Sequence, residues 1–160
     1  MPKAQELLLG EFPRTLDERY RLTLPGELAE PFGATTDCIL AKERVGSLSL
    51  WSAEQWQEKL NIGVELVQAK IRSGRLEGRI EEVQLLGRLL STRHCPVQLA
   101  GRGRLVIPEG FREFLGVEPR GEVIVVGAAI CLELWQPAAW FAHLETNMPE
   151  FRKLFDTLSR

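Results

Sequence analysis

The chain has 160 residues, 44% of them hydrophobic and 26% charged, with a formal net charge of −2. That length supplies one ordinary core, or two small halves that share one, and the composition belongs to a folded chain rather than a disordered or fibrous one. The charge excludes a uniformly basic nucleic-acid binder, and no apolar run reaches the ~20 residues that span a bilayer.

The opening stretch MPKAQELLLGEF has one lysine and three consecutive leucines before Gly10. It is too short and too weakly basic for a secretory signal, so a cytoplasmic location is expected. A first strand is read as ending at Leu16, followed by a tight polar turn, DERY (17–20), and a second strand with alternating Leu22 and Leu24. Pro25 stops that strand because it cannot extend a paired ladder. A short helix is expected within GELAEPFG (26–33), with Gly33 in the left-handed closing position. Two more strands follow, and a helix opens at Ser52, where Gln55 three residues on completes a capping box. Residues 64–90 read as helix, with Leu76, Ile80, Val83, Gly87 and Leu90 on one stripe. Gly74 and Gly78 mark a break or a close packing point, and Arg72, Arg75 and Arg79 are spaced to share a face.

The same order then starts again. A strand ends at Leu99, a turn AGRG (100–103) follows, and a strand with Leu105 and Ile107 stops at Pro108. A short helix in EGFREFLG closes on Gly116, strands are read over 123–126 and 131–135 with Gly127 in the turn between them, and a helix starts at Pro137. Finally Phe151, Leu154, Phe155 and Leu158 make an amphipathic helix after Pro149.

This order is a duplication. LDERYRLTLP (16–25) and LAGRGRLVIP (99–108) share five of ten residues at an offset of 83, and LSLWSAEQW (48–56) and LELWQPAAW (132–140) share four of nine at an offset of 84. Average residue usage would give roughly one or two identities in all nineteen positions. Neither copy can bury its strands alone, so the two are expected to intertwine about a pseudo-twofold axis and share one small β-barrel, an α+β fold with flanking helices.

The doubled stretch carries the chemistry. Asp17 can accept N–H bonds within its own turn and pair with Arg21. Arg19 and Arg21, two apart in an extended segment, project to the same side. With Arg102 and Arg104 from the second copy, the pseudo-twofold gathers four guanidiniums at one end, and arginine's planar fork suits phosphate oxygens and guanine edges. From Lys70 to Arg104 there are eight basic residues against three acidic ones, a local +5 on a chain of net −2. Carboxylates closing the turns are the other use for such arginines, and the repeated spacing favours the first.

Cys38, Cys95 and Cys131 are scattered and form no CxxC pair, and His94 beside Cys95 has no partners at metal-ligand spacing. No disulfide framework, metal or cofactor is expected. Neither histidine sits in a recognisable triad, and there is no Gly-rich phosphate loop, so neither an enzyme nor a small-molecule substrate is expected.

LDERYRLTLP and GRGRLVIPEGFREFLG, with the later EVIVVG, LELW and Trp140, resemble the two swapped-hairpin repeats of the MraZ family, within the SpoVT/AbrB superfamily. The likeness covers residues 10 to about 145. It implies two AbrB-like repeats, over 10–60 and 93–146, joined by a helical segment over 61–92 and followed by an amphipathic helix over 147–160. It also implies a bacterial transcriptional regulator, cytoplasmic and nucleoid-associated, that binds repeated boxes of double-stranded DNA near cell-division and cell-wall genes as a ring-like homo-oligomer. The DNA-binding residues implied are Arg14, Arg19, Arg21, Arg102 and Arg104, with Asp17 and Gly103 positioning the turns. Two departures stand out. Tyr20 replaces the glycine that precedes the arginine in the family turn, a strained choice if the position needs φ > 0. Ala100 replaces the aspartate, leaving Arg104 without that partner. The competing reading is an oligomeric interaction module whose DNA binding is weakened or lost.

Overall fold

Antiparallel pairing across the two copies of the repeat organises the chain. The computed structural model describes residues 7–30, 37–101 and 103–160. In chain order the elements are β1 (Leu8–Thr15), β2 (Arg21–Thr23), α1 (Gly26–Ala29), β3 (Asp37–Arg44), β4 (Ser47–Ser52), α2 (Ala53–Arg72), α3 (Ile80–Arg93) and β5 (His94–Gln98). They continue with β6 (Arg104–Val106), α4 (Arg112–Leu115), β7 (Glu122–Ala129), β8 (Leu132–Trp135), α5 (Pro137–Asn147) and α6 (Phe151–Ser159). The class is α+β, with an antiparallel sheet and several helices.

Six strands form one sheet in the order β1-β7-β8-β4-β3-β5, and β2 and β6 form a separate two-stranded ribbon. Read from either end, the sheet exchanges each strand for its counterpart: β1 for β5, β7 for β3, β8 for β4. The pseudo-twofold axis therefore runs between β4 and β8, where Leu48 faces Leu134 and Leu50 faces Leu132. Each half's first strand pairs with the other half's third. Phe12 of β1 faces Val125 of β7, and Cys95 of β5 faces Leu40 of β3. The halves are exchanged rather than set side by side.

Strand alternation sends two sets of side chains to two faces. One face carries Leu40, Leu48, Leu50, Val123, Val125, Leu132 and Leu134, packed with Leu22, Leu24, Leu105 and Ile107 from the ribbon segments into one cluster. Each such leucine contributes about 1.5–3 kcal/mol by leaving water. The opposite face carries two smaller tryptophan clusters. Trp51 and Trp56 meet with ring centres 5.8 Å apart, and Trp135 and Trp140 meet at 5.2 Å. Their helices are capped from the sequence: the Ser52 side chain accepts from Gln55 N at 3.3 Å, and Gln136, just before Pro137, accepts from Ala139 N at 2.7 Å.

Several expectations shift. Gly127 is not the β7–β8 turn. It lies inside β7 opposite Gly10, where an added Cβ would stand 2.5 Å from the backbone of Leu8. Glycine is needed for β1 to approach, and the turn is made by Ala129 and Ile130, with Ala129 at φ 68°. The helix opening at Ser52 runs unbroken to Arg72, and the break comes around Gly74, at φ 75°. Arg72 therefore ends one helix, Arg75 lies in the turn and Arg79 precedes the next helix, so the three do not share a helical face. Gly116 closes α4 in the left-handed conformation, as expected, while Gly33 lies outside the described residues.

Candidate nucleic-acid interface

The β2–β6 ribbon pairs Arg21 with Val106, Leu22 with Leu105 and Thr23 with Arg104. Leu22 and Leu105 point inward and are fully buried, so alternation turns Arg21, Thr23, Arg104 and Val106 outward. Arg21 and Arg104 are diagonal neighbours on that exposed face, a relation that sets Cα atoms about 7–8 Å apart. One arginine from each half thus stands on one small platform.

The first turn is held by a carboxylate. Asp17 Oδ1 accepts from Arg19 N at 2.8 Å and from Arg21 N at 2.9 Å, while Oδ2 accepts from Arg21 Nε at 2.6 Å. These backbone donations, Arg21 N foremost, hold the Asp17 carboxyl below its ordinary value of 3.8, and the Arg21 guanidinium adds to the effect. The bond uses Nε, the inner nitrogen of the fork. It fixes the side chain's direction without occupying its outer edge. Arg19 is exposed on the same turn, and Glu18 pairs with Arg120.

The second turn, among the described residues, is closed by backbone alone. Arg104 N donates to Ala100 O at 2.9 Å and Ala100 N donates to Arg104 O at 2.9 Å, a closed backbone pair. Gly101 and Gly103 take φ of 53° and 85°. The Arg104 guanidinium lies over Gly101, its Nη2 3.5 Å from where a Cβ would be. Arg102 lies outside the described residues.

Tyr20 sits at φ 59°, matching Gly103. Each turn is also tied to the opposite half: Ile107 N donates to Tyr20 O and Leu24 N to Gly103 O, both at 2.9 Å. What lies against the two positions differs. The guanidinium of Arg112, from α4, stands 4.2 Å from the centre of the Tyr20 ring, and its Nε donates to Ile107 O at 2.7 Å. At the counterpart, a Cβ on Gly103 would meet the Ala29 Cβ, from α1, at 3.2 Å. Ala29 and Arg112 are themselves 83 residues apart, so a large pair across the halves at one turn replaces a small pair across them at the other. Arg112 was not singled out in the sequence. The signal was there: the two departures from symmetry fall at offsets that align.

Arg14 lies elsewhere. It is half-buried on β1, donating from Nη1 to Pro13 O at 2.8 Å, with its guanidinium carbon 5.8 Å from the Phe12 ring centre. The basic stretch 70–104 is dispersed by the helix break, and within it Arg79 pairs with Glu82 and Arg93 with Glu43. His94 packs on Trp56 with ring centres 5.1 Å apart, and burial lowers its pKa. Burial also pushes the Cys38 thiol up to about 11 and Cys131 to about 12, which keeps both protonated. Among the described residues, no group of three or more His, Cys, Asp or Glu side chains is placed to hold a metal ion, and no helix is long and apolar enough to cross a membrane.

Residues 95–159 match the family described as MraZ protein, putative antitoxin-like. Nearly the whole chain is similar to proteins named transcriptional regulator MraZ. That of Syntrophomonas wolfei is 25% identical over 152 residues, 95% of this chain and 96% of the relative. That of Acetivibrio thermocellus is 26% identical over 134 residues, 84% of each chain, and that of Thermomicrobium roseum 26% identical over 139 residues, 87% and 88%. The resemblance read from the repeated turns therefore holds: the chain is MraZ-like, with the family pattern matched over its second half.

Proposed function

We propose that this MraZ-like chain is a transcriptional regulator and not an enzyme, and that it binds double-stranded DNA through the β2–β6 ribbon and the two turns that feed it. One observation carries the reading: Arg21 and Arg104, contributed by different halves, are neighbours on the exposed face of the ribbon, with Asp17 setting the direction of the first. The names of the relatives support the regulatory role. Arg19 flanks the platform as a further phosphate contact, Arg102 takes the same role by its place in the repeat, Gly103 and Asp17 shape the turns, and Arg14 contributes from the end of β1.

The finer architecture belongs to the same reading. Two AbrB-like repeats, over 10–60 and 93–146, exchange hairpins to close one pseudo-twofold barrel, a fold the cross-half pairing favours. The chain works in the cytoplasm on the nucleoid, as a ring-like homo-oligomer on repeated boxes near cell-division and cell-wall genes. Repetition lets a chain of net −2 bind well, because weak sites linked in one assembly add through effective concentration.

The test is a binding measurement on the duplex upstream of the chain's own gene, using Arg21→Ala/Arg104→Ala. The double variant keeps its circular dichroism and assembly size and loses binding. Each phosphate contact removed flattens the log–log salt slope by about 0.9. Wild-type affinity in that variant sinks the assignment.

A further inference from the structure

The outward face of the ribbon holds one side chain that phosphate attraction does not explain. Arg21, Thr23 and Arg104 on that face are polar, and Val106 is apolar and 48% exposed. A single exposed valine is ordinary on a protein surface. Its surroundings here are not, because Val106 faces Arg21 directly and lies two residues beyond Arg104 on β6. Hydrogen-bonded and unbonded pairs alternate along an antiparallel ladder. Ile107 N donates to Tyr20 O and Leu24 N to Gly103 O, so Tyr20–Ile107 and Leu24–Gly103 are bonded pairs. Arg21–Val106 and Thr23–Arg104 are then the unbonded kind, with Cα atoms about 4.5 Å apart and side chains closest.

The repeat turns this neighbour relation into a pattern. At an offset of 83 Val106 corresponds to Thr23, so each arginine of the platform stands beside a β-branched residue carrying a methyl group. Such side chains are stiff about χ1. Leu22 and Leu105 are buried beneath them, and the two bonds between halves pin the ribbon at both ends, which fixes the spacing of the outward side chains. Strands roughly 4.8 Å apart make a ribbon that enters the major groove, about 12 Å wide. There thymine is the one base that presents a methyl group, and apolar side chains recognise it by contact. A threonine hydroxyl bonds to more than one base edge and discriminates less. Valine has no polar atom, so against any other base edge it strips water and returns no hydrogen bond. Base pairs follow one another at about 3.4 Å, which brings Val106 within about two pairs of the base opposite Arg21.

We propose that Val106 is a specificity-determining residue that contacts the 5-methyl group of a thymine in the major groove, within about two base pairs of the base that meets Arg21. This inference rests on the DNA reading above and deepens it from phosphate to base.

The experiment uses the full chain and the duplex upstream of its own gene, prepared with deoxyuridine replacing thymidine at random. That change removes the 5-methyl group and leaves base pairing intact. Bound and free duplexes are separated, and the uracils in each are mapped by glycosylase cleavage. With wild type, uracil is depleted from the bound fraction about fourfold at a thymine that recurs in each box, the factor expected for burying one methyl group. Val106→Ala keeps its far-UV circular dichroism and assembly mass, binds each box about fourfold more weakly, and accepts uracil and thymine equally at that position. Val106→Thr, which returns one methyl group, restores about twofold depletion there. Depletion that persists unchanged in Val106→Ala, or wild type that binds the duplex with uracil depleted nowhere, overturns the assignment and leaves the DNA reading standing. Wild type that retains no duplex at all overturns the DNA reading, and the assignment with it.

Discussion

In the first half the chain passes from β1 to β2 through Asp17–Tyr20, where a carboxylate gathers two backbone N–H groups and an arginine, and a tyrosine is held at φ 59° beneath Arg112. In the second half it passes through Ala100–Gly103, where backbone pairs with backbone and a glycine at φ 85° lies against Ala29. The same φ > 0 step is thus reached by covering a costly residue with a stacked cation, or by using a residue with no Cβ to strain. The difference teaches that the turn's shape is the quantity held constant and its residues are not. It also separates the two arginines: Arg21 is steered by a carboxylate, and Arg104, among the described residues, is not.

Exchanging the means should break this equivalence. Gly103→Tyr puts a side chain into Ala29 at positive φ and is expected to cost about 2–3 kcal/mol in urea unfolding. Adding Ala29→Arg recovers about 1 kcal/mol by recreating the stack found around Tyr20, a coupling that a double-mutant cycle reads directly. If the added arginine recovers nothing, size matching between the positions is not the principle. Arg112→Ala leaves Tyr20 uncovered and the Ile107 carbonyl without its side-chain donor, for about 1–2 kcal/mol. The same truncation at Ala29 has nothing to remove.

The carboxylate gives the first turn a pH signature that the second lacks. The Asp17 pKa is depressed in the folded chain, so its contribution is present above the ordinary 3.8 and is lost as pH falls through the lower, folded value. Urea midpoints of wild type and Asp17→Asn should differ by a constant amount down to about pH 5 and converge below 3.8. A gap that stays constant to lower pH refutes the assignment. Ala100→Asp makes the second turn resemble the first. An exposed pair of this kind contributes little, so DNA affinity should rise no more than about threefold.

Much of this was legible because the sequence repeats itself. Matching Leu22 and Leu24 with Leu105 and Ile107 located the inward side of the ribbon, and with it the outward side that carries Arg21 and Arg104. The glycine before Arg104 marked Tyr20 as a strained choice if the position needs φ > 0, and its φ is 59°. What was not legible depended on neighbours remote in sequence. Gly127 looked like a turn because nothing local reveals that Leu8 presses against it. The end of the helix that opens at Ser52 was not legible, because a helix with one buried residue and an exposed Ile62 and Leu66 gives a weaker pattern than a fully buried one. Arg112 was passed over because a cation in a short helix has no distinctive surroundings until Tyr20 is brought beneath it.

The exchange of strands between halves reaches back to how the polypeptide is made. Leu8 finds its partner in Ala129, so on the ribosome Leu8 must wait for 121 further residues before it can pair. At about 5–20 residues per second that is roughly 6–24 s of translation. During that interval Leu8–Thr15 is an edge without its β7 partner. A nascent chain stalled near residue 92 should therefore be fully open to protease, and resistance should appear only once the region beyond Leu132 has emerged.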